Sequence, residues 1–175
     1  SRSDDTSSGS GEEAGFAADS LVGVALPAKT SENWVLAGDL FTDGLAEAGF
    51  ESDVQYAAAS GTVADQQSQI QSMVTKGAKV IIIGAADGSQ LSTQVAAAHE
   101  AGAVVIAYDR LILNTADLDY YVAYDNAEVG RLQGQALLDG MAAKGDGPYT
   151  IELFSGSPDD ANSKVFFDGA MEVLQ

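Results

Sequence analysis

"TKGAKVIIIGA" (75–85) decides how the rest of the chain reads. Its apolar run is short, continuous and β-branched, which suits a strand covered on both faces rather than one with a wet side. The glycine before it suits the left-handed residue that closes a helix. The same order of helix end, glycine and apolar run recurs in "EAGFESDVQYA" (47–57) and "EAGAVVIAYD" (100–109). Repeated units of this kind call for a parallel sheet with helices on both faces, because parallel neighbours need a crossover long enough to be a helix. The expected class is therefore α/β, with a Rossmann-like parallel sheet.

Working outward, strands are expected at 21–27, 53–59, 79–85, 103–108, 120–124 and 149–154. Trp34, Ala37, Phe41, Leu45 and Ala48 recur at helical spacing and Gly49 closes that helix. Thr62, with Asp65 three residues on, opens a second helix whose inner face is Ile70, Met73 and Val74, closed by Gly77. Ser89 is the expected cap of a third, with Leu91, Val95 and Ala98 inward and Gly102 at its end. Asp125 or Asn126, with Glu128, opens a fourth that runs to about Ala142, and a fifth runs into Gln175.

Lys and Arg number 8 against 26 Asp and Glu, a net charge of −18 that repels nucleic-acid backbones and anionic membrane surfaces. With no cysteine there is no disulfide framework and no thiolate chemistry. No apolar run approaches the roughly 20 residues of a membrane helix. Residues 1–20, "SRSDDTSSGSGEEAGFAADS", hold too few apolar side chains to offset the entropy of ordering them, and a flexible acidic tether is expected there. Such a tether suits a mature exported chain; membrane contact is expected only through a lipid anchor, whose cysteine would have preceded Ser1.

In open parallel sheets, ligands lie beyond the carboxyl ends of the strands, where loops splay apart and helix N-termini point inward. The loops so placed are "AKTSENW" (28–34), "ADGS" (86–89), "DR" (109–110) and "SGSPDDANSK" (155–164). They offer carboxylates, amides, hydroxyls, one guanidinium and one indole, and no imidazole. That inventory fits a neutral polyhydroxylated ligand: planar groups bridge adjacent hydroxyls bidentately and Trp covers a sugar's C–H face. Beside it stand plainer readings: Asp109 and Arg110 as a solvated pair, Trp34 as core, Asp159 and Asp160 as helix caps, Asn162 as surface, Asp87 as a turn residue. Asp109 and Arg110, being neighbours, reach one ligand only if the strand ends at them and the chain turns.

Catalytic readings fare worse. His99 is the only histidine and lies late in a helix, so Ser-His-Asp chemistry lacks a base. Gly23 stands alone after the first strand begins, with no phosphate-cradling glycine loop, and no EF-hand spacing occurs. No enzyme activity, cofactor or metal is expected.

Four stretches, "SQIQSMVTKGAKVIII" (68–83), "VIAYDRLI" (105–112), "YDNAEVGRLQGQAL" (124–137) and "IELFSGSPDDANSKVFFDGAMEVL" (151–174), together resemble the type I periplasmic sugar-binding proteins of ABC transporters, and among them the xylose-binding and multiple-sugar-binding receptors. The resemblance implies two α/β lobes joined by a hinge, a monosaccharide such as xylose or glucose bound between them, and closure presented to a membrane permease. It implies sugar contacts at Asp109, Arg110, Asp160, Asn162 and Trp34. Asn33 stands where relatives commonly carry arginine, and Ala161 replaces the first Asn of a Ser-Pro-x-Asp-Asn-Asn stretch. Lys29, in the same loop as Asn33 and Trp34, completes the candidate set.

By that plan 21–110 is the N-terminal lobe lacking its final returning segment, 111–118 the first hinge crossing, and 119–175 an incomplete second lobe, so the chain is expected to be truncated. A monomer, periplasmic or extracellular and open to lipoprotein tethering, is the expectation. The alternative is the sugar-sensing core of a transcriptional regulator, or a chemoreceptor partner; the acidic tail argues against a preceding basic helix-turn-helix.

Overall fold

A computed structural model of the chain describes residues 15–60 and 62–175. Most of the expected tether lies outside those residues. Among the described residues ten elements follow in order: β1 (Leu21–Leu26), α1 (Glu32–Glu47), β2 (Glu51–Tyr56), α2 (Thr62–Thr75), β3 (Val80–Ile83), α3 (Ser92–Glu100), β4 (Val104–Tyr108), β5 (Tyr120–Val122), α4 (Asn126–Ala142) and α5 (Ala161–Leu174). The strands form one sheet in the order β2-β1-β3-β4-β5, every pair parallel.

The three glycine-closed units end alike. Gly49, Gly77 and Gly102 have φ of 84°, 80° and 81°. In each, the glycine N–H reaches back three residues, to Ala46, Val74 or His99, and the next N–H reaches back five, to Leu45, Met73 or Ala98. This paired closure satisfies carbonyls that the helix leaves free and throws the chain into the following strand.

Alternation along the strands divides the core into two layers. Val22, Val24 and Leu26 point to one face, where Trp34, Phe41 and Leu45 of α1 pack on them. Ala25, Ile81, Ile83, Val105 and Ala107 point to the other, against Ile70 and Met73 of α2 and Leu91, Val95 and Ala98 near and in α3. Each fully buried aliphatic side chain contributes about 1.5–3 kcal/mol, so these layers carry most of the stability of this part of the chain.

Several expectations are corrected. Tyr149–Phe154 is not a strand: no described strand lies alongside to complete its hydrogen bonds, and Phe154 is 90% exposed. Ser89 does not cap α3; its N–H and hydroxyl both bind the Asp87 carboxylate, at 2.9 and 2.7 Å, in a local turn, and Leu91 occupies the cap position. Residues 111–118 do not leave the first sheet. Ile112 and Leu118 pack into its core and the Leu113 N–H donates to Gly88 C=O at 2.8 Å. The Asp119 side chain then accepts from the Val105 N–H at 2.8 Å, setting β5 beside β4. The first sheet thus extends through Val122.

Beyond β5, α4 and α5 pack closely on each other. A Cβ on Gly130 would lie 2.3 Å from the Phe166 carbonyl oxygen, and one on Gly169 2.4 Å from that of Ala127. Two substitutions separate the two uses of glycine. Gly77→Ala meets nothing within 4 Å and acts only through its positive φ, lowering stability by about 1–2 kcal/mol. Gly169→Ala gains about 1 kcal/mol of helix propensity inside α5 but forces α4 and α5 apart at about 1–3 kcal/mol, so it lowers stability by up to about 2 kcal/mol through contact alone. Urea unfolding of the two variants checks both figures.

Candidate functional site

The strand order reverses at β1, whose neighbours β2 and β3 are reached by crossovers on opposite faces, so the loops after β1 and β3 part and leave a crevice. A cleft of about 700 Å³ fills that crevice, lined by residues from beyond all of the first four strands: Pro27, Ser31 and Trp34; Ala59 and Thr62; Ala86 and Asp87; and Arg110. Asp159, just before α5, closes it from across the gap. A smaller compartment of about 240 Å³ adjoins, lined by Ser31, Asn33, Trp34, Ala37, Tyr108, Asp109 and Arg110. Ser31, Trp34 and Arg110 line both.

The pair at the end of β4 meets the geometric condition for sharing a ligand. Asp109 has φ 65°, and the Arg110 N–H donates to Tyr108 C=O at 2.7 Å, closing a three-residue turn centred on Asp109. Such turns are strained for a residue with a Cβ and persist only when their surroundings impose them. Here the surroundings are specific: the Asp109 N–H donates to Val122 C=O at 2.8 Å, and its C=O accepts from the Tyr121 hydroxyl and from Asn162 Nδ2, each at 3.1 Å.

Arg110 lies with its guanidinium 5.3 Å from the Trp34 ring centroid, its Nη1 donating to Ala85 C=O at 3.1 Å. Its Nε is 3.2 Å from Asp160 Oδ2, an ion pair rather than a hydrogen bond, because the buried Nε finds no aligned acceptor. Trp34 is held edge-on by Tyr108 at 6.3 Å, and a Cβ on Gly84 would come within 2.9 Å of its ring. The indole is therefore both core and cleft wall. The Tyr56 hydroxyl donates toward the Trp34 and Val35 carbonyls at 3.0 and 3.2 Å, in space that Gly38 leaves by having no side chain.

The structure brings Asp109, Arg110, Trp34 and Asn33 to the cleft and treats the other three candidates differently. Asp160 caps α5, accepting from the Asn162 N–H at 2.9 Å, while its second oxygen faces Arg110. Asn162 is 6% exposed, donating to Asp109 C=O and accepting from Asn126 Nδ2 at 2.8 Å, so the reading of it as a surface residue is corrected. Lys29 turns away to lie 4.4 Å over the Tyr56 ring and lines neither compartment. Tyr121 and Asn126 do structural duty that single-sequence reading missed, since their partners are 12 and 36 residues away. Asp87 is a turn residue, as its plainer reading had it, and a cleft residue too.

Burial raises the Asp109 carboxyl above its ordinary value; Arg110 opposes this and Asp160 adds to it. A carboxyl raised in the folded state stabilises the fold least when ionised: stability falls as pH rises from the unfolded-state value through the folded one. Asp109→Asn keeps the shape and tolerates positive φ while removing the charge. Its stability relative to the parent should therefore increase with pH across the acid range and stay higher at neutrality. Urea midpoints measured from pH 3 to 7 check the sign; a flat difference overturns it.

Comparison with known proteins bears on the chain as a whole. Residues 22–175 match the family model described as a periplasmic binding protein domain. The multiple sugar-binding periplasmic receptor ChvE of Rhizobium radiobacter is 49% identical over 162 residues, 91% of this chain and 45% of that protein. The D-xylose-binding periplasmic protein of Escherichia coli (strain K12) is 38% identical over 154 residues, 88% of this chain and 44% of that one. In structure, an ABC transporter solute binding protein from Clostridium phytofermentans with bound β-D-glucose superposes with a TM-score of 0.83 at 41% identity, covering 88% of this chain and 47% of that one. The chain spans about half the length of the relatives it matches. With its parallel sheet, its crevice at the strand-order reversal and this match over nearly every described residue, the chain belongs to the periplasmic binding protein domain family, with the type I fold of its sugar-binding members.

Proposed function

We propose that the chain forms the first lobe, and the beginning of the second, of an extracytoplasmic receptor. The receptor captures a monosaccharide of the glucose or xylose kind and hands it to an ABC import permease. The observation that carries this reading is the shared wall of the two compartments, where the Arg110 guanidinium lies along Trp34 beside the turned Asp109. An aromatic face, a forked donor and a carboxylate acceptor on one wall are what a ring bearing alternating C–H faces and hydroxyls requires. Support comes also from the relatives, whose names state sugar binding, and from the related structure that holds glucose.

In this reading Asp109, Arg110, Asn33 and Trp34 touch the sugar. Asp160 and Asn162 act from behind, the first orienting Arg110 and the second holding the Asp109 turn. The crossing between lobes falls at 123–125, between β5 and α4, and no bond in the ligand is made or broken. The receptor works as a monomer in the periplasm or at the cell surface.

Titration calorimetry of D-glucose and D-xylose against the full-length natural chain tests this. Micromolar binding is expected, with Arg110→Ala weakening it by roughly 10- to 150-fold, the value of a charge-assisted hydrogen bond of about 1.5–3 kcal/mol. Trp34→Ala should weaken it as well, with the unfolding transition still cooperative. No heat with either sugar, or unchanged affinity in both variants, sinks the assignment.

A further inference from the structure

Gln66, on α2, is a fully buried polar side chain with no exposed surface, 41 residues in sequence from one partner and 18 from another. Its Nε2 donates to Gly84 C=O at 2.8 Å and approaches Ala25 C=O at 3.4 Å. Its Oε1 accepts from the Ala86 N–H at 2.8 Å. Only this amide orientation satisfies both strand-end groups, because the reverse would set oxygen against oxygen and N–H against N–H. The side chain therefore ties α2 to the ends of β1 and β3, the two strands between which the crevice opens.

The Ala86 N–H belongs to the same planar peptide as the Ala85 C=O. In a trans peptide these two groups point in opposite directions. Gln66 holds the N–H side, and on the other side the C=O accepts from Arg110 Nη1 at 3.1 Å. A single rigid unit thus connects a buried amide to the guanidinium on the cleft wall. Hydrogen bonds in such a chain strengthen one another, since each polarises the next. An apolar residue of similar size would fill the volume but leave the peptide free to tilt, and Arg110 with it.

We propose that Gln66 is a positioning residue for ligand binding: by fixing the Ala85–Ala86 peptide it sets the orientation of Arg110 and so the affinity of the cleft for sugar hydroxyls. The inference rests on the sugar-binding reading above. It is distinct from a purely structural role, which would lower stability without acting through Arg110.

A double-mutant cycle on the full-length chain separates the two, with D-glucose affinity by calorimetry and stability by urea unfolding in each variant. Gln66→Leu should weaken glucose binding on the order of tenfold, as expected for groups that share one network. In an Arg110→Lys background, which keeps the charge but not the fork, the same substitution should change affinity less than about twofold, while its effect on stability stays the same in both backgrounds. Equal losses of affinity in the two backgrounds overturn the proposal and leave the sugar reading intact. If Arg110→Lys alone binds glucose like the parent, the proposal falls and the sugar reading stands; if the parent itself binds no glucose, both fall. Gln66→Met, which keeps length but has no donor and only a weak sulfur acceptor, reads the same cycle should Gln66→Leu not fold.

Discussion

The parallel pairing of β1 with both β2 and β3 is the constraint on which the remaining structure depends. Parallel neighbours cannot be joined by a tight turn and need a long crossover, which between β1 and β2 and between β2 and β3 is a helix laid across a face. Because β1 sits between its two sequence successors, the helices leave on opposite faces and the loops above β1 and β3 part. The crevice needs no dedicated residues to open it. Apart from Asp159, which stands before α5, the cleft-lining groups then follow from which side chain happens to stand just past a strand end: Trp34 on the first turn of α1, Asp87 after β3, Arg110 after β4.

Where the strands end, buried polar contacts take over from the hydrophobic layers. The turn at Asp109 is held from two directions, by β5 through Val122 and Tyr121 and by α5 through Asn162. Opposite it, Gln66 holds the end of β3. The strained backbone and the desolvated carboxylate of Asp109 are both unfavourable to stability, and both lie on the cleft wall. That combination is common where a group is kept in place for a ligand rather than for the fold. The contacts that join α5 to the first sheet run through this same turn, from Asn162 to Asp109 C=O, and through the ion pair between Arg110 and Asp160 beside it.

Much of the fold was legible in the chain because its signals are local. Gly49, Gly77 and Gly102 close helices by a backbone conformation that depends on no distant partner. The inward residues Ile70, Met73, Leu91, Val95 and Ala98 follow from helical period alone. Signals that need a partner misled. Tyr149–Phe154 has the composition of a strand, yet a strand exists only where another lies alongside to complete its hydrogen bonds. The segment 111–118 looked like a connection leaving the lobe, whereas Ile112, Leu118 and Asp119 anchor it to β4 and the core.

By itself the sequence determined the α/β class, the order of β1 to β4 and their helices, and the presence of a carboxylate, a guanidinium and an indole past strand ends. Each of these is written in nearest-neighbour chemistry: period, glycine and charge. Only the tertiary structure decided which candidates share a wall. Asn33, Trp34, Asp109 and Arg110 meet, Lys29 turns to Tyr56, and Asn162 is drawn inside to brace the Asp109 turn. The reason is physical: a side chain's direction at a loop is set by hydrogen bonds to groups tens of residues away, such as Gln66 to Ala86 or Asn162 to Asp109, and those distances do not exist until the sheet has formed.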